Sequence, residues 1–211
     1  MVGGTGLYFN SLMRGMIDIP KVSDEIKKRV RERLLKRGQE RFFEILKKID
    51  FEYSLKIHPN DRQRTSRAIE VFLQTGNKFS SYLKRENIKN EIKYIKIGLI
   101  IDRQKLYDII NKRVDKMIEN GLVEETKKIL EMGYSKNCPA LKGIGYKEIV
   151  DYLENRCSLD EAIYNIKKNT RHYAKRQITW FKSMNDIMWF SPDDEENIKK
   201  EIYRKIKEIK N

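Results

Sequence analysis

Only two cysteines and two histidines occur in 211 residues; Cys138 and Cys157 stand apart, with no CxxC spacing and no histidine placed to share a metal. That scarcity excludes a disulfide framework and a zinc site, and leaves the two thiols as buried structural side chains. No apolar run approaches the roughly eighteen residues that a membrane span needs. The N-terminus also lacks the basic region, apolar stretch and small-residue cleavage site of an export signal. A cytoplasmic chain without a membrane partner is expected. Internal repeats and low-complexity linkers are missing too. Acid is in short supply: 31 Asp and Glu face 45 Lys and Arg, for a net charge of +14. Such a balance favours polyanions through counterion release, nucleic acid before an anionic membrane surface. Eleven Tyr, eight Phe and two Trp argue against disorder. The length allows one large domain or two small ones, burying about 70% of the unfolded surface.

What is present begins with "MVGGTGLYFN". Gly3, Gly4 and Gly6 permit the close backbone approach of a strand-to-helix turn, and Leu7, Tyr8 and Leu12 start a helical stripe. A strand of about five or six residues should precede such a turn. Only Met1 and Val2 do, so the chain is expected to start within a domain.

From Ser23, two amphipathic helices follow, with Ile26, Val30 and Leu34, then Phe42, Ile45 and Ile49, at helical spacing and Gly38 between them. Ser23 is a natural N-cap, with Asp24 and Glu25 complementing the dipole. Asn60 or Asp61 caps the next helix, which Gly76 or Asn77 closes. "YIKIGLIID" is one strand, apolar enough to be buried on both faces of a parallel sheet. A long helix is expected from Arg103 to Met132, with Leu106, Ile110, Val114, Met117 and Leu122 inward, then helices over Tyr146–Glu154 and Leu159–Met184. A short strand in "IMWFS" and a charged helix carrying Ile198, Ile202 and Ile206 complete the chain.

Four constellations bear chemistry. Arg113 flanks the apolar stripe of its helix, where a guanidinium either snorkels to water or meets an anion whose oxygens match its fork of donors. From Ala162 to Asn185 there is no acid, while Lys167, Lys168, Arg171, Lys175, Arg176 and Lys182 supply six positive charges. Lys168, Arg171, Lys175 and Lys182 share one face and Ile163, Ile166, Tyr173 and Trp180 another, so one face packs and the other meets a polyanion. Arg62, Arg64 and Arg67 crowd the first turns of the helix after "HPND", with Gln63 and Ser66 as further donors, a site for phosphate or for surface ion pairs. Gly143 and Gly145 form a turn ahead of a helix, between Lys142 and Lys147.

The stretches "VGGTGLY", "IHPNDRQRTSRAIEVF", "INKRVDKMIENGLVEE", "LKGIGYKEIVDYL" and "RHYAKRQITWF", in this order and over almost the whole chain, resemble the tRNA dimethylallyltransferases. The resemblance implies an α/β fold: part of a P-loop NTPase-like parallel-sheet core, mostly helical here, with a helical insertion. Residues 1–20 and 86–211 would belong to the core and 21–85 to the insertion. It implies transfer of a dimethylallyl group from dimethylallyl diphosphate to N6 of the adenosine 3′-adjacent to the anticodon, the adenine being flipped into a cleft. Thr5 would sit beside the bridging oxygen of the diphosphate and Arg113 would hold its phosphates, both stabilising leaving-group charge. Gln63, Arg64, Thr65, Ser66 and Arg67 match one tRNA-contacting stretch. Lys142, Gly143, Ile144, Gly145, Tyr146 and Lys147 match a second, and Lys175, Arg176, Gln177, Ile178, Thr179, Trp180, Phe181 and Lys182 a third. The implied partners are a tRNA anticodon stem-loop, dimethylallyl diphosphate and Mg²⁺, bound by a monomer.

The departure is that the family's G-x-x-x-x-G-K-[ST] loop, which cradles the diphosphate and helps hold Mg²⁺, and the Asp that serves as general base shortly after it have no counterpart here. The chain alone is therefore expected to be inactive. An adenylate prenyltransferase needs no basic helical insertion, so the segment from Ser23 to Lys84 speaks against it. A non-catalytic tRNA-binding module would keep the basic face without the chemistry. A P-loop kinase lacks its phosphate loop.

Overall fold

A computed structural model describes residues 1–83 and 92–210. The chain divides into two compact units, Met1–Gly6 with Lys93–Asn211, and Leu7–Ile92. The expected boundary at 20/21 lies inside the second of these, and the one at 85/86 lies outside the described residues. No described helix is long and apolar enough to cross a membrane.

The Leu7–Ile92 unit is helical: α1 (Gly6–Arg14, whose first residue belongs to the other unit), α2 (Asp24–Arg37), α3 (Gln39–Ile49), α4 (Phe51–Ser54), α5 (Arg62–Thr75) and α6 (Phe79–Leu83). Its boundaries follow from capping chemistry. Ser23 Oγ accepts from Ile26 N, Gly38 separates α2 from α3 at φ 78°, and Asp61 rather than Asn60 caps α5 through Arg64 N. Gly76 closes α5 in the left-handed region at φ 73°, where a side chain would be strained. The core gathers Val22, Phe43, Leu46, Tyr53, Ile57, Ala68, Val71 and Phe79. Asp50 is buried beneath it with both oxygens occupied, Oδ1 by Tyr53 N at 3.1 Å and Oδ2 by Ser80 N at 2.7 Å, so one carboxylate joins the starts of α4 and α6.

The other unit is mostly helical around a small parallel sheet. It holds β1 (Lys96–Leu99), α7 (Arg103–Glu119), α8 (Leu122–Glu131), a 3-10 turn (Ala140–Lys142), α9 (Tyr146–Leu153), α10 (Leu159–Lys182), β2 (Ile187–Phe190) and α11 (Glu195–Lys210). The two strands pair in parallel from Lys96 with Ile187 to Leu99 with Phe190. At Gly98 an added Cβ would stand 2.6 Å from the Trp189 ring, so the absent side chain lets that indole cover the strand. Val114, Leu122, Ile149, Ala162 and Ile166 form the helical core.

Three expectations are corrected here. The helix expected to run from Arg103 to Met132 is two, because Gly121 takes φ 90° after Asn120 ends α7. β1 is not buried on both faces; its residues are partly exposed and Leu99 is 57% exposed, because only β2 pairs with it among the described residues. Cys138 and Cys157 are half-buried rather than buried, Cys157 lying against the helical core.

Candidate functional site

α10 is the spine of the site. Ser158 and Glu161 cap its start reciprocally, and Asp160 and Glu161 suit the positive end of the dipole, so all its acid lies in the first turn and its later turns are left to cations. Along its length three other elements are fastened to it.

The first is the opening glycine turn. A Cβ on Gly4 would fall 2.3 Å from Gln177 Nε2, and one on Gly6 would fall 2.1 Å from Trp180 Cε3. Only bare backbone fits there, which is what the glycines of "GGTG" provide. The turn carrying exposed Thr5 therefore rests directly on the Lys175–Lys182 stretch. Two segments matched separately to the family pattern are in this way brought together.

The second is α7. Lys167 Nζ pairs with Asp115 Oδ1 at 2.6 Å, and Arg171 Nη1 donates to Asn111 Oδ1 at 2.8 Å. Arg171, expected on one anion-facing surface with Lys168, Lys175 and Lys182, is half-buried against α7, with one donor held by Asn111 and the others unbonded among the described residues. Lys168, Lys175, Arg176 and Lys182 are exposed, with no carboxylate at ion-pair distance among the described residues. Tyr173, expected on the packed face, is 44% exposed and carries the Arg176 guanidinium 5.7 Å from its ring centre, whereas Trp180 does pack, meeting Phe181 edge-on at 5.0 Å. Arg113 is exposed one position before buried Val114 and makes no hydrogen bond or ion pair among the described residues. Its donors face water, as an anion ligand requires.

The third is the turn before α9. Gly145 sits at φ 103° with its amide donating to Glu148 Oε2 at 2.8 Å. The other oxygen of Glu148 accepts from Asn169 Nδ2 at 2.7 Å, on α10. Exposed Lys142, Gly143, Ile144 and Lys147 are displayed around this anchored turn, while Gly145 is buried. Tyr146 Oη donates to Glu125 Oε1 at 2.7 Å, which, with burial, raises the phenol above its ordinary value. Glu148 and Asn169 escaped the sequence reading; the available signal was an acid at the third helical position after Gly145, a capping-box spacing.

The remaining stretch is in the Leu7–Ile92 unit. Gln63 and Arg64 are exposed, and Arg64 stands 3.5 Å from Asp61. Arg67 stands 3.9 Å from Glu70, whose carboxyl burial pushes up despite that cation. Such pairs along a helix stabilise by about 0.3–0.5 kcal/mol, little enough for a phosphate to replace. Ser66 is half-buried. Thr65 is a correction: it is wholly buried, its Oγ1 accepting from Gln39 Nε2 at 3.2 Å, and it offers no surface to RNA.

Among the described residues no group of three or more His, Cys, Asp or Glu side chains could hold a metal ion. No chemical step is routed through the Mg²⁺ that the resemblance implies.

A family model for IPP transferase matches residues 1–184. Among curated proteins, the tRNA dimethylallyltransferase of Fusobacterium nucleatum is 48% identical over 206 residues, which are 96% of this chain and 66% of that protein. That of Thermotoga maritima is 45% identical over 190 residues, 90% of this chain and 61% of its own. The chain thus spans about two thirds or less of these relatives. Among solved structures, the full-length tRNA isopentenylpyrophosphate transferase of Bacillus halodurans matches with a TM-score of 0.58 at 36% identity, over 97% of this chain and 64% of that one. A eukaryotic dimethylallyltransferase acting on tRNA matches with a TM-score of 0.69 at 29% identity, over 90% and 50%.

Proposed function

The chain belongs to the IPP transferase family, and on that premise we propose that it serves tRNA modification, transferring a dimethylallyl group from dimethylallyl diphosphate to N6 of the adenosine 3′ of the anticodon. In that reaction N6 attacks the allylic carbon, the carbon–oxygen bond to diphosphate breaks, and the N6 proton passes to a base. Charge builds on the departing diphosphate. Arg113, unpaired among the described residues, would meet it with a planar fork of donors, and the Thr5 hydroxyl would donate to the bridging oxygen. The sheet and its helices then read as part of a P-loop-like core, and the Leu7–Ile92 unit as the RNA-gripping insertion.

The observation that carries this reading is the seating of the Thr5 turn on α10, where Gly4 meets Gln177 and Gly6 meets Trp180. Leaving-group chemistry and the basic stretch from Lys175 to Lys182 then share one locus. A second reading, a non-catalytic RNA-binding module, draws on the exposed Lys168, Lys175, Arg176 and Lys182. One experiment separates the two: unmodified tRNA bearing the target adenosine is incubated with labelled dimethylallyl diphosphate and the chain, alone and joined to a phosphate-loop and general-base segment of the family, and label in RNA and RNA binding are both measured. Label with the joined protein that is lost in its R113Q form supports the enzyme. Salt-dependent binding without label from either protein supports the module, and neither binding nor label overturns both.

A further inference from the structure

The Tyr107 ring on α7 gathers two guanidinium groups, Arg103 at 5.2 Å and Arg171 at 5.7 Å from its centre. Each is anchored by one neutral oxygen: Arg103 Nε donates to Tyr107 Oη at 2.9 Å, and Arg171 Nη1 to Asn111 Oδ1 at 2.8 Å. The nearby acids are spoken for. Asp102 caps α7 through Gln104 N and Lys105 N, Asp108 accepts from Gln104 Nε2, and Asp115 pairs with Lys167. None forms an ion pair with Arg103 or Arg171.

Two like charges on one ring repel, and at half-buried Arg171 water screens that repulsion less well than at the surface. The ring faces offset part of this by cation–π attraction, but the Nη groups of Arg103 and Nη2 of Arg171 have no acceptor among the described residues. Both guanidinium groups lie within 5.7 Å of one ring centre, and an anion that meets their free Nη donors would offset the repulsion with attraction. Arg171 and exposed Lys175 are one turn apart on the same face of α10, so the cluster is continuous with the basic stretch ending at Lys182. Arg113, by contrast, follows Asn111 by two positions, roughly 200° round the helix. It serves a different face.

Resting on the proposed tRNA reading, we infer that Arg103 and Arg171, steadied by Tyr107 and Asn111, form a seat for a backbone phosphate of RNA, extending the interface across α10 onto the start of α7. A phosphate contact positions the RNA and reads no base.

The test measures dissociation of an anticodon stem-loop RNA from the chain over a series of salt concentrations, for the unmodified protein and for R103Q, R103K and K199Q. In R103Q the dependence of log affinity on log salt should become shallower by about one, equally for RNAs of different loop sequence. R103K keeps the charge and should keep the slope. K199Q, whose parent lysine pairs with Glu195 on α11, should leave it unchanged. A wild-type slope in R103Q overturns the inference while the tRNA reading stands. RNA that fails to bind the unmodified chain overturns both.

Discussion

Glu148 on α9 and Asn169 on α10 meet at 2.7 Å, and the same carboxylate holds the Gly145 amide at 2.8 Å. One buried side chain thereby joins the left-handed turn that displays Lys142 and Lys147 to the helix that displays Lys175 and Lys182. Glu148→Ala leaves a buried amide and an asparagine donor unmet, at about 1–3 kcal/mol. Glu148→Gln should recover much of this, because its carbonyl can serve Gly145 while the Asn169 amide turns to accept from its NH₂. Urea denaturation gives the ranking; equal losses in the two variants would contradict the linkage.

Gly6 and Trp180 make a size-specific prediction. Gly6→Ala forces a methyl into the indole, a non-flexible neighbour, so overpacking should cost about 1–3 kcal/mol. Gly4→Ala meets only the end of the Gln177 side chain, which can swing away, and should cost less. Trp180 fluorescence, read in a Trp189→Phe background, should shift in G6A and not in G4A. In Trp180→Ala the Gly6 substitution should become nearly neutral, as a double-mutant cycle would show.

Tyr146 predicts a pH dependence. Its phenol titrates ordinarily near 10.0, and the hydrogen bond to Glu125, then burial, raise it in the fold. A raised value means that the fold favours the neutral phenol. That contribution is intact below about pH 10 and is lost as pH rises through the higher folded value. Tyr146→Phe should therefore lower stability at pH 8 and lose less than wild type between pH 9.5 and 11, with denaturation midpoints compared across roughly that alkaline window. Parallel losses in the two proteins would contradict the assignment.

Thr65 and Arg64, adjacent in sequence, should separate stability from binding. Thr65 is buried under Gln39, so Thr65→Val should cost about 1 kcal/mol of stability and leave RNA affinity unchanged. Arg64 is exposed, so Arg64→Gln should alter stability by no more than about 0.5 kcal/mol while weakening RNA binding and flattening its salt dependence. Filter binding and thermal melts on the two variants supply both readouts.

What the sequence determined by itself was local. A cap at Ser23, a cap at Asn60 or Asp61, breaks at Gly38 and Gly76, and the acid-free run from Ala162 are written in neighbouring residues, because helix ends and charge segregation depend on side chains a few positions away. The break at Gly121 was equally local but masked by an apolar stripe that continues through it, from Met117 to Leu122. Tertiary structure decided the rest. Nothing in "RHYAKRQ" says that Arg171 turns inward to Asn111 while Lys175 stays in water, since both lie on one face of α10 and only the arrival of α7 distinguishes them. Likewise Gly4 and Gly6 read as a turn open to close approach, but what approaches, Gln177 and Trp180 more than 170 positions away, is fixed only by the fold.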